Sequence, residues 1–221
     1  MMGEPSKNQE QPGAASANIT FPFITIDRLR METDGDGVTT LVASKGCPLS
    51  CKYCLNKQIL NDEVPCRQIT PKQLFSMVAI DDLYFRATNG GVVFGGGESL
   101  LHARFIREFA GLVPKDWRIL AETCLNVPSE LLETALPVVD NWIVDIKDMN
   151  PEIYRSYTGQ DNARVTENLR ILAEAGRCDD VVIRLPLIPS FNTDEDRQRS
   201  EEAVKAIGPF TKFDRFNYVI R

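Results

Sequence analysis

Short apolar runs rich in β-branched residues recur along the chain, and amphipathic helical patterns separate them. The strands that this pattern predicts are residues 39–44, 91–94, 118–122, 142–146, 181–187 and 213–219. They lack the apolar–polar alternation of a half-exposed strand, so we expect parallel strands covered by helices. The predicted helices are residues 71–87, 100–110, 129–135, 165–175 and 194–207. This order of elements predicts repeated βα units.

The chain length limits how many such units can form. An eight-unit barrel typically needs ~250 residues, and this chain has 221. We therefore predict an α/β fold, namely a partial, open-sided (β/α)6 barrel with parallel strands. A flat, doubly wound sheet is the alternative, and both folds place the working site at the carboxyl ends of the strands.

Composition sets the domain boundaries and excludes some functions. Residues 1–18 are polar and lack apolar periodicity, so we predict a disordered N-terminal tail at 1–18 and one domain at 19–221. The 25 basic and 31 acidic residues give a net charge of −6, which argues against a nucleic-acid partner. No apolar run is long enough to span a bilayer, and the N-terminus lacks a signal-peptide core. We expect a cytoplasmic monomer without a membrane partner.

Three of the six cysteines lie within eight residues, just after the first predicted strand. Cys47, Cys51 and Cys54 have the spacing C-x3-C-x2-C. Three thiolates on one loop can hold three corners of a [4Fe–4S] cluster and leave the fourth iron open to a small molecule. The alternative is a structural zinc site with Cys66 as the fourth ligand, although structural zinc is commonly held by paired cysteines.

This loop resembles the signature of the radical S-adenosylmethionine (SAM) superfamily. The resemblance implies that Cys47, Cys51 and Cys54 hold one [4Fe–4S] cluster, whose open iron binds the amino and carboxylate groups of SAM. It further implies reductive cleavage of SAM to methionine and a 5′-deoxyadenosyl radical, which abstracts a hydrogen atom. By the same resemblance, Tyr53 is expected to pack beside the adenine, and Asn56 is expected to lie near SAM.

The second predicted strand ends in a glycine triplet that is followed by an acidic residue. Glycine lets the backbone approach a ligand closely, although a simple strand-to-helix turn is the alternative. Gly95, Gly96, Gly97 and Glu98 resemble the superfamily's Gly-Gly-Glu-Pro motif, which binds the amino group of SAM. Ser99 stands where the motif has proline.

Other segments resemble a narrower group, the glycyl-radical-enzyme activating enzymes of the pyruvate formate-lyase activating enzyme type. The matches occur in order along the chain. They are T-D-G-D-G-V at 33–38, G-C-P-L at 46–49, D-I-K at 145–147, T-G at 158–159, E-N-L at 167–169 and R-L-P-L-I-P at 184–189. Leu55 departs from the histidine that usually follows the third cysteine, and His102 is expected to be a packing or surface residue.

The narrower resemblance implies further site residues at the strand ends. Lys147 is expected to contact the SAM carboxylate, and Arg184 is expected to lie near the ribose and carboxylate. Glu122, Thr123 and Asp145 are expected near SAM around a possible monovalent cation, for which hard oxygen ligands are suitable. An ion pair of Glu122 or Asp145 with Lys147 or Arg184 is the structural alternative.

The function predicted from the sequence is a radical SAM enzyme that activates a glycyl radical enzyme by abstracting a glycine hydrogen. A reduced flavodoxin or ferredoxin is expected to supply the electron. One alternative is a radical SAM enzyme that modifies a peptide, a small molecule or a nucleoside. The other is a zinc-stabilised binding module. Cys66, Cys124 and Cys178 are expected to be structural or free thiols, with Cys124 the nearest to the pocket.

Overall fold

A computed structural model of the chain describes residues 19–31, 33–60 and 64–218. The predicted tail at 1–18 lies outside the described residues. The strands are β1 (Phe21–Met31), β2 (Val38–Ser44), β3 (Arg67–Ile69), β4 (Gly91–Gly96), β5 (Arg118–Thr123), β6 (Asn141–Asp145), β7 (Val181–Leu187) and β8 (Lys212–Asn217). Of the last predicted strand, Val219 also lies outside the described residues.

The helices follow the strands in the order that the sequence predicts. They are α1 (Lys57–Leu60), α2 (Pro71–Val78), α3 (Asp82–Thr88), α4 (Ala103–Ala110), α5 (Ser129–Ala135), α6 (Pro151–Thr158), α7 (Ala163–Glu174) and α8 (Asp194–Ile207). Thr70 and Thr193 begin α2 and α8 through capping boxes, which satisfy otherwise unpaired backbone N–H groups. None of the helices in the described part combines the length and apolarity needed to cross a membrane.

The strand order identifies the kind of α/β fold. The described strands form one sheet in the order β3-β1-β2-β4-β5-β6-β7-β8. From β2 to β8, each strand pairs in parallel with the next one along the chain, apart from the short β3. A doubly wound sheet reverses its strand order at a switch point, and this sheet does not. The prediction of a partial (β/α)6 barrel with parallel strands is confirmed.

The prediction of six strands was incomplete, because β1 and β3 add an antiparallel extension to the sheet. Strand β1 was not predicted because Asp27, Arg28 and Arg30 interrupt its apolar residues. A register shift also falls between Asp27 and Arg30, and Leu29 has φ of 56° there. An irregularity of this kind breaks the alternation that identifies a strand.

Several helix boundaries also differ from the predictions. The helix predicted at 71–87 is two helices, α2 and α3, joined by a 3₁₀ turn at Ala79–Asp81. The segment predicted at 100–110 begins with a 3₁₀ turn at Ser99–His102 before α4. Helix α6 was not predicted, although Asn150 caps it and Pro151 begins it.

The inner face of the sheet positions the site. Leu41, Val93, Leu120 and Ile143 form a small apolar cluster on this face, separate from the large core under the helices. Successive side chains alternate between the faces of a strand. Two residues beyond Leu120 and Ile143, the same face therefore carries Glu122 and Asp145 at the strand ends.

Candidate active site

The loop that carries the three cysteines, residues 46–56, follows β2 and is called the cysteine loop below. Helix α6 supports it, because the N–H groups of Ser50 and Lys52 donate to the carbonyls of Thr158 and Tyr157 at 2.9 and 3.1 Å. Gly46 begins the loop with φ of 100°, a conformation that favours glycine. The loop backbone that carries the cysteines is therefore held by β2 at its start and by hydrogen bonds to the end of α6.

The glycine segment at the end of β4, residues 95–98, packs directly on the cysteine loop. Gly97 N–H donates to the carbonyl of Ser44 at 3.0 Å, and Glu98 N–H donates to that of Gly46 at 2.8 Å. The Asn56 side-chain amide donates to the Gly96 carbonyl at 2.6 Å. A Cβ on Gly97 would lie 2.1 Å from the Gly46 carbonyl oxygen, so only glycine permits this approach.

Glu98 is a buried carboxylate whose hydrogen bonds are all internal. One oxygen accepts from the N–H of Leu100 at 3.0 Å and from the hydroxyl of Thr123 at 2.7 Å. The other accepts from the N–H of Cys124 at 2.8 Å. The Glu98 side chain thus fastens the glycine segment to the end of β5. Thr123 takes part in this contact through its hydroxyl, and the expected contact of the motif with SAM stays a prediction.

A cavity of about 230 Å³ lies at the carboxyl ends of the strands. Its walls contain all the predicted site residues except Tyr53 and Gly95. The lining residues are Cys47, Leu49, Cys51, Cys54, Leu55, Asn56, Leu60, Gly96, Gly97, Glu98, Glu122, Thr123, Cys124, Ile143, Asp145, Lys147, Arg184, Phe216 and Tyr218. Elements far apart in sequence therefore bring the predicted residues together.

Tyr53 does not line this cavity. Its ring packs instead against Phe191 at 5.6 Å and Tyr157 at 6.1 Å between ring centroids. The Tyr218 hydroxyl donates to the Tyr53 carbonyl, which ties β8 to the cysteine loop. The expectation that Tyr53 packs beside adenine stays a prediction.

Two aromatic residues of the cavity wall, Phe216 and Tyr218, were not predicted as site residues. Phe216 lies at the end of β8 and Tyr218 directly follows the strand, and a spacing of two residues on extended backbone directs both side chains to the same face. That spacing was the available signal. His102, by contrast, packs its ring 5.1 Å from that of Phe21, and its Nε2 lies 3.1 Å from the Lys45 carbonyl.

Asp145 and Lys147 both line this cavity and form an ion pair, with 2.6 Å between Lys147 Nζ and Asp145 Oδ2. Burial acts to lower the pKa of Lys147, but the Asp145 carboxylate, Cys51 and Tyr218 together outweigh burial, and the pKa is raised. The Lys147 ammonium therefore favours its charged form here. The second Asp145 oxygen, Oδ1, is buried and has no hydrogen-bond partner within the described residues. A buried carboxylate oxygen without a donor is a position where a ligand N–H or O–H group is favourable.

The Asp145–Lys147 pair is one that the structural alternative anticipated, whereas Arg184 and Glu122 pair with other residues. Arg184 pairs with Asp214 at 3.3 Å and lies 5.1 Å over the Phe216 ring. Glu122 lies 3.5 Å from Arg30, which also holds the buried Asp34 at 2.7 Å. Burial and the Asp34 carboxylate together raise the pKa of Glu122 to about 7.

Replacing Glu122 by glutamine is expected to change how stability depends on pH. In the native state Glu122 keeps its proton up to about pH 7, whereas the unfolded chain loses this proton near the ordinary pKa of 4.5. The contribution of Glu122 to the free energy of unfolding therefore falls between about pH 4.5 and 7. Glu122→Gln removes this loss. It should raise the free energy of unfolding at pH 8, relative to pH 5, by about 1–3 kcal/mol.

Denaturant unfolding at both pH values measures this difference, with the exposed Glu133→Gln as the matched control. Equal pH dependence in Glu122→Gln and the natural protein would show that Glu122 ionises normally.

Among the described residues, the side chains at this cavity are not grouped as ligands of a single metal ion. All three loop cysteines are free thiols, and Cys66 is not among the cavity-lining residues. Across the described ranges, no three His, Cys, Asp or Glu side chains converge on one ion position. The monovalent cation near Glu122, Thr123 and Asp145 stays a prediction.

Known proteins share this sequence pattern and this fold. Residues 41–202 match the radical SAM superfamily. The pyruvate formate-lyase 2-activating enzyme of Escherichia coli is 30% identical, over 80% of this chain and 69% of that protein. The isethionate sulfite-lyase activating enzyme of Desulfovibrio desulfuricans is 28% identical, over 84% of this chain and 77% of that protein.

Among solved structures, SuiB of Streptococcus suis bound to S-adenosylmethionine has the same fold, with a TM-score of 0.63. The sequences are 14% identical, and the matched region covers 81% of this chain and 40% of SuiB. The superfamily implies a [4Fe–4S] cluster and SAM as cofactors. The chain belongs to the radical SAM superfamily and is a radical SAM enzyme of the activating-enzyme type.

Proposed function

We propose that this protein cleaves SAM reductively and abstracts a hydrogen atom from a glycine of a partner enzyme, which leaves a glycyl radical there. One observation carries the proposal. The cysteine loop, the glycine segment and the Asp145–Lys147 pair line one cavity at the carboxyl ends of parallel strands.

The residues present fit a [4Fe–4S] cluster. Cys47, Cys51 and Cys54 would hold it through three thiolates, and the chain offers no fourth cysteine from the same loop. When bound, the cluster supplies the electron that breaks a carbon–sulfur bond of SAM. Helix α6 and the glycine segment both form hydrogen bonds with the backbone of this loop.

The charged residues fit the amino-acid portion of SAM. The half-buried Lys147 ammonium would pair with its carboxylate, while the unpartnered Asp145 Oδ1 would accept a hydrogen bond from an N–H or O–H group. The Arg184 guanidinium, held by Asp214, lies on the same wall. These groups are fixed before ligand arrives, so binding costs little reorganisation.

The cavity also suits chemistry that must avoid water. Leu49, Ile143 and Phe216 contribute apolar walls beside the cysteines. Exclusion of water protects a reactive species, and fixed geometry brings the reacting atoms together. A glycine α-carbon has no side chain to keep it out of a space of about 230 Å³.

The relatives support the choice of partner. The two named above activate pyruvate formate-lyase 2 and isethionate sulfite-lyase, as their names state. We therefore propose a glycyl radical enzyme as protein substrate and a flavodoxin or ferredoxin as electron donor. The N-terminal tail, the one-domain organisation of residues 19–221 and the monovalent cation accompany this proposal as predictions.

The test uses the reconstituted protein with SAM, a reductant and glycyl radical enzymes from the same genome, under anaerobic conditions. We expect a glycyl-radical EPR doublet on one of them, and transfer of deuterium from its labelled glycine into 5′-deoxyadenosine. The glycine-to-alanine variant of that partner is the control. If deuterium instead reaches deoxyadenosine only from labelled peptides or small molecules, the partner assignment is wrong.

A further inference from the structure

A fourth cysteine, Cys124, lies at the same cavity as the three loop cysteines, and the proposed chemistry does not use it. It follows β5 directly, lines the cavity together with Cys47, and exposes only 9% of its surface. The side chains of Cys47 and Cys124 form a hydrogen bond with each other. The fold therefore brings a buried thiol from the end of β5 onto one of the three expected cluster ligands.

Backbone hydrogen bonds hold Cys124 in this position. Its N–H donates to the Glu98 carboxylate at 2.8 Å. The N–H of Glu98 donates at 2.8 Å to the carbonyl of Gly46, the residue before Cys47. Two hydrogen bonds through Glu98 thus connect Cys124 to the start of the cysteine loop, which fixes the position of Cys124 with respect to Cys47.

The Cys47 sulfur has two hydrogen-bonding neighbours, the backbone N–H of Leu49 and the side chain of Cys124. A cysteine that binds iron is a thiolate and has no proton to donate. In the protein that holds a cluster, the hydrogen atom between the two sulfurs must therefore come from Cys124. Cys124 is then the donor, and Cys47 is the acceptor.

The Glu98 carboxylate is a second acceptor that the Cys124 thiol contacts. This carboxylate already accepts hydrogen bonds from Leu100, from the hydroxyl of Thr123 and from the N–H of Cys124. The Cys47 thiolate would have the Leu49 N–H as its other neighbour. The less satisfied acceptor is thus the sulfur of Cys47.

Resting on the proposed function, we propose that Cys124 is a positioning residue whose S–H group donates a hydrogen bond to the Cys47 thiolate and raises the reduction potential of the bound cluster. Reduction adds negative charge, which the ligand sulfurs share. A donor aimed at one of these sulfurs stabilises the reduced form more than the oxidised form. Hydrogen bonds to the sulfurs are among the features that set cluster potentials, and a buried hydrogen bond is stronger because water competes little with it.

Only an electron moves in the step that Cys124 influences. A low-potential one-electron donor is oxidised, and the [4Fe–4S]²⁺ cluster is reduced to [4Fe–4S]⁺. The S–H bond of Cys124 is neither formed nor broken, and its sulfur does not bind iron. The hydrogen bond makes the electron easier to accept, and the cluster must accept it before SAM is cleaved.

The test measures the midpoint potential of the reconstituted protein, without SAM, in a redox titration followed by EPR. Cys124→Ala removes the donor, and Cys124→Val removes it while keeping most of the side-chain volume. Cys124→Ser replaces the S–H group with an O–H group. Cys178→Ala is the matched control, because Cys178 is also buried but does not line the cavity.

We expect Cys124→Ala and Cys124→Val to lower the equilibrium constant for cluster reduction about tenfold, which is ~59 mV for a one-electron couple. Cys124→Ser should restore most of this loss, and Cys178→Ala should match the natural protein. The direction of the shift distinguishes the loss of a hydrogen bond from the entry of water. Water admitted beside a smaller side chain would stabilise the reduced cluster and raise the potential.

A second readout follows the hydrogen atom itself. The S–H proton of Cys124 exchanges with solvent, so the reduced natural protein in D₂O should show a deuterium coupling to the cluster in pulsed EPR. Cys124→Ala should lose this coupling and keep that of the Leu49 N–H. A purely structural role of Cys124 would leave the set of exchangeable couplings unchanged.

Two outcomes would overturn the proposal while the proposed function stands. One is an unchanged or raised potential in Cys124→Ala and Cys124→Val. The other is loss of the cluster from all three Cys124 variants, which would make this cysteine necessary for assembly. A natural protein that holds a cluster yet forms no deoxyadenosine with dithionite and SAM would contradict SAM cleavage alone. A natural protein that assembles no cluster would overturn both proposals.

Discussion

Alanine at any one of Cys47, Cys51 and Cys54 is expected to abolish SAM cleavage. Each variant removes one of three thiolates on a single loop, and no other cysteine of the described residues lies on that loop to replace it. We expect 5′-deoxyadenosine formation to fall at least ~10³-fold, which corresponds to ~4 kcal/mol of transition-state stabilisation. Iron and sulfide content after anaerobic reconstitution should fall with it.

Cys66→Ala is the matched control for this series. Cys66 does not line the cavity, so this variant should keep its iron, its sulfide and its activity. A zinc-stabilised module makes the opposite prediction, since it needs Cys66 as the fourth ligand. Tightly bound zinc that is lost on Cys66→Ala would contradict a cluster held by the three loop cysteines.

Gly97→Ala is expected to have the second largest effect. Its new Cβ would lie 2.1 Å from the Gly46 carbonyl oxygen and 3.0 Å from that of Ser44. These are backbone atoms, so the glycine segment must move away from the cysteine loop. The Gly97–Ser44 and Glu98–Gly46 hydrogen bonds would be lost or lengthened. We expect a loss of about 1–3 kcal/mol in the free energy of unfolding, and a fall of roughly 10²-fold in SAM cleavage from misplaced groups.

Gly111→Ala is the control for Gly97→Ala. Gly111 ends α4 with φ of −71°, and a Cβ there would meet no atom closer than 3.4 Å. This variant should unfold and cleave SAM like the natural protein. Circular dichroism and iron content separate misfolding from a displaced site in Gly97→Ala. Unchanged activity in a folded, iron-loaded Gly97→Ala protein would show that the close contact is not needed.

Much of the fold could be predicted from the sequence, because parallel strands that are buried on both faces appear in it as apolar runs. The run at 91–94 became β4 for this reason, and its residues are all buried. Strand β1 could not be predicted, because its charged side chains form ion pairs with residues far away in sequence. Arg28 reaches Asp81, and Arg30 reaches Glu122, across the fold. A pattern within one strand does not show such partners.

The site was predictable to the extent that its residues lie at strand ends or in short motifs. What each side chain does there depended on three-dimensional neighbours. Glu98 was expected near SAM, which stays a prediction, but the sequence did not show that Thr123 and Cys124 donate hydrogen bonds to its carboxylate. Tyr53 was expected beside adenine, which stays a prediction, but the sequence did not show that its ring packs against Phe191 and Tyr157.

The measurement that tests radical SAM chemistry most directly is EPR spectroscopy of the protein reconstituted anaerobically with iron and sulfide. The spectrum of the reduced protein is recorded with and without SAM, and 5′-deoxyadenosine is assayed in the same samples. We predict a [4Fe–4S]⁺ signal that changes when SAM is added, together with deoxyadenosine formation. No cluster, or a cluster that is indifferent to SAM and is lost on Cys66→Ala, would contradict SAM cleavage by this protein.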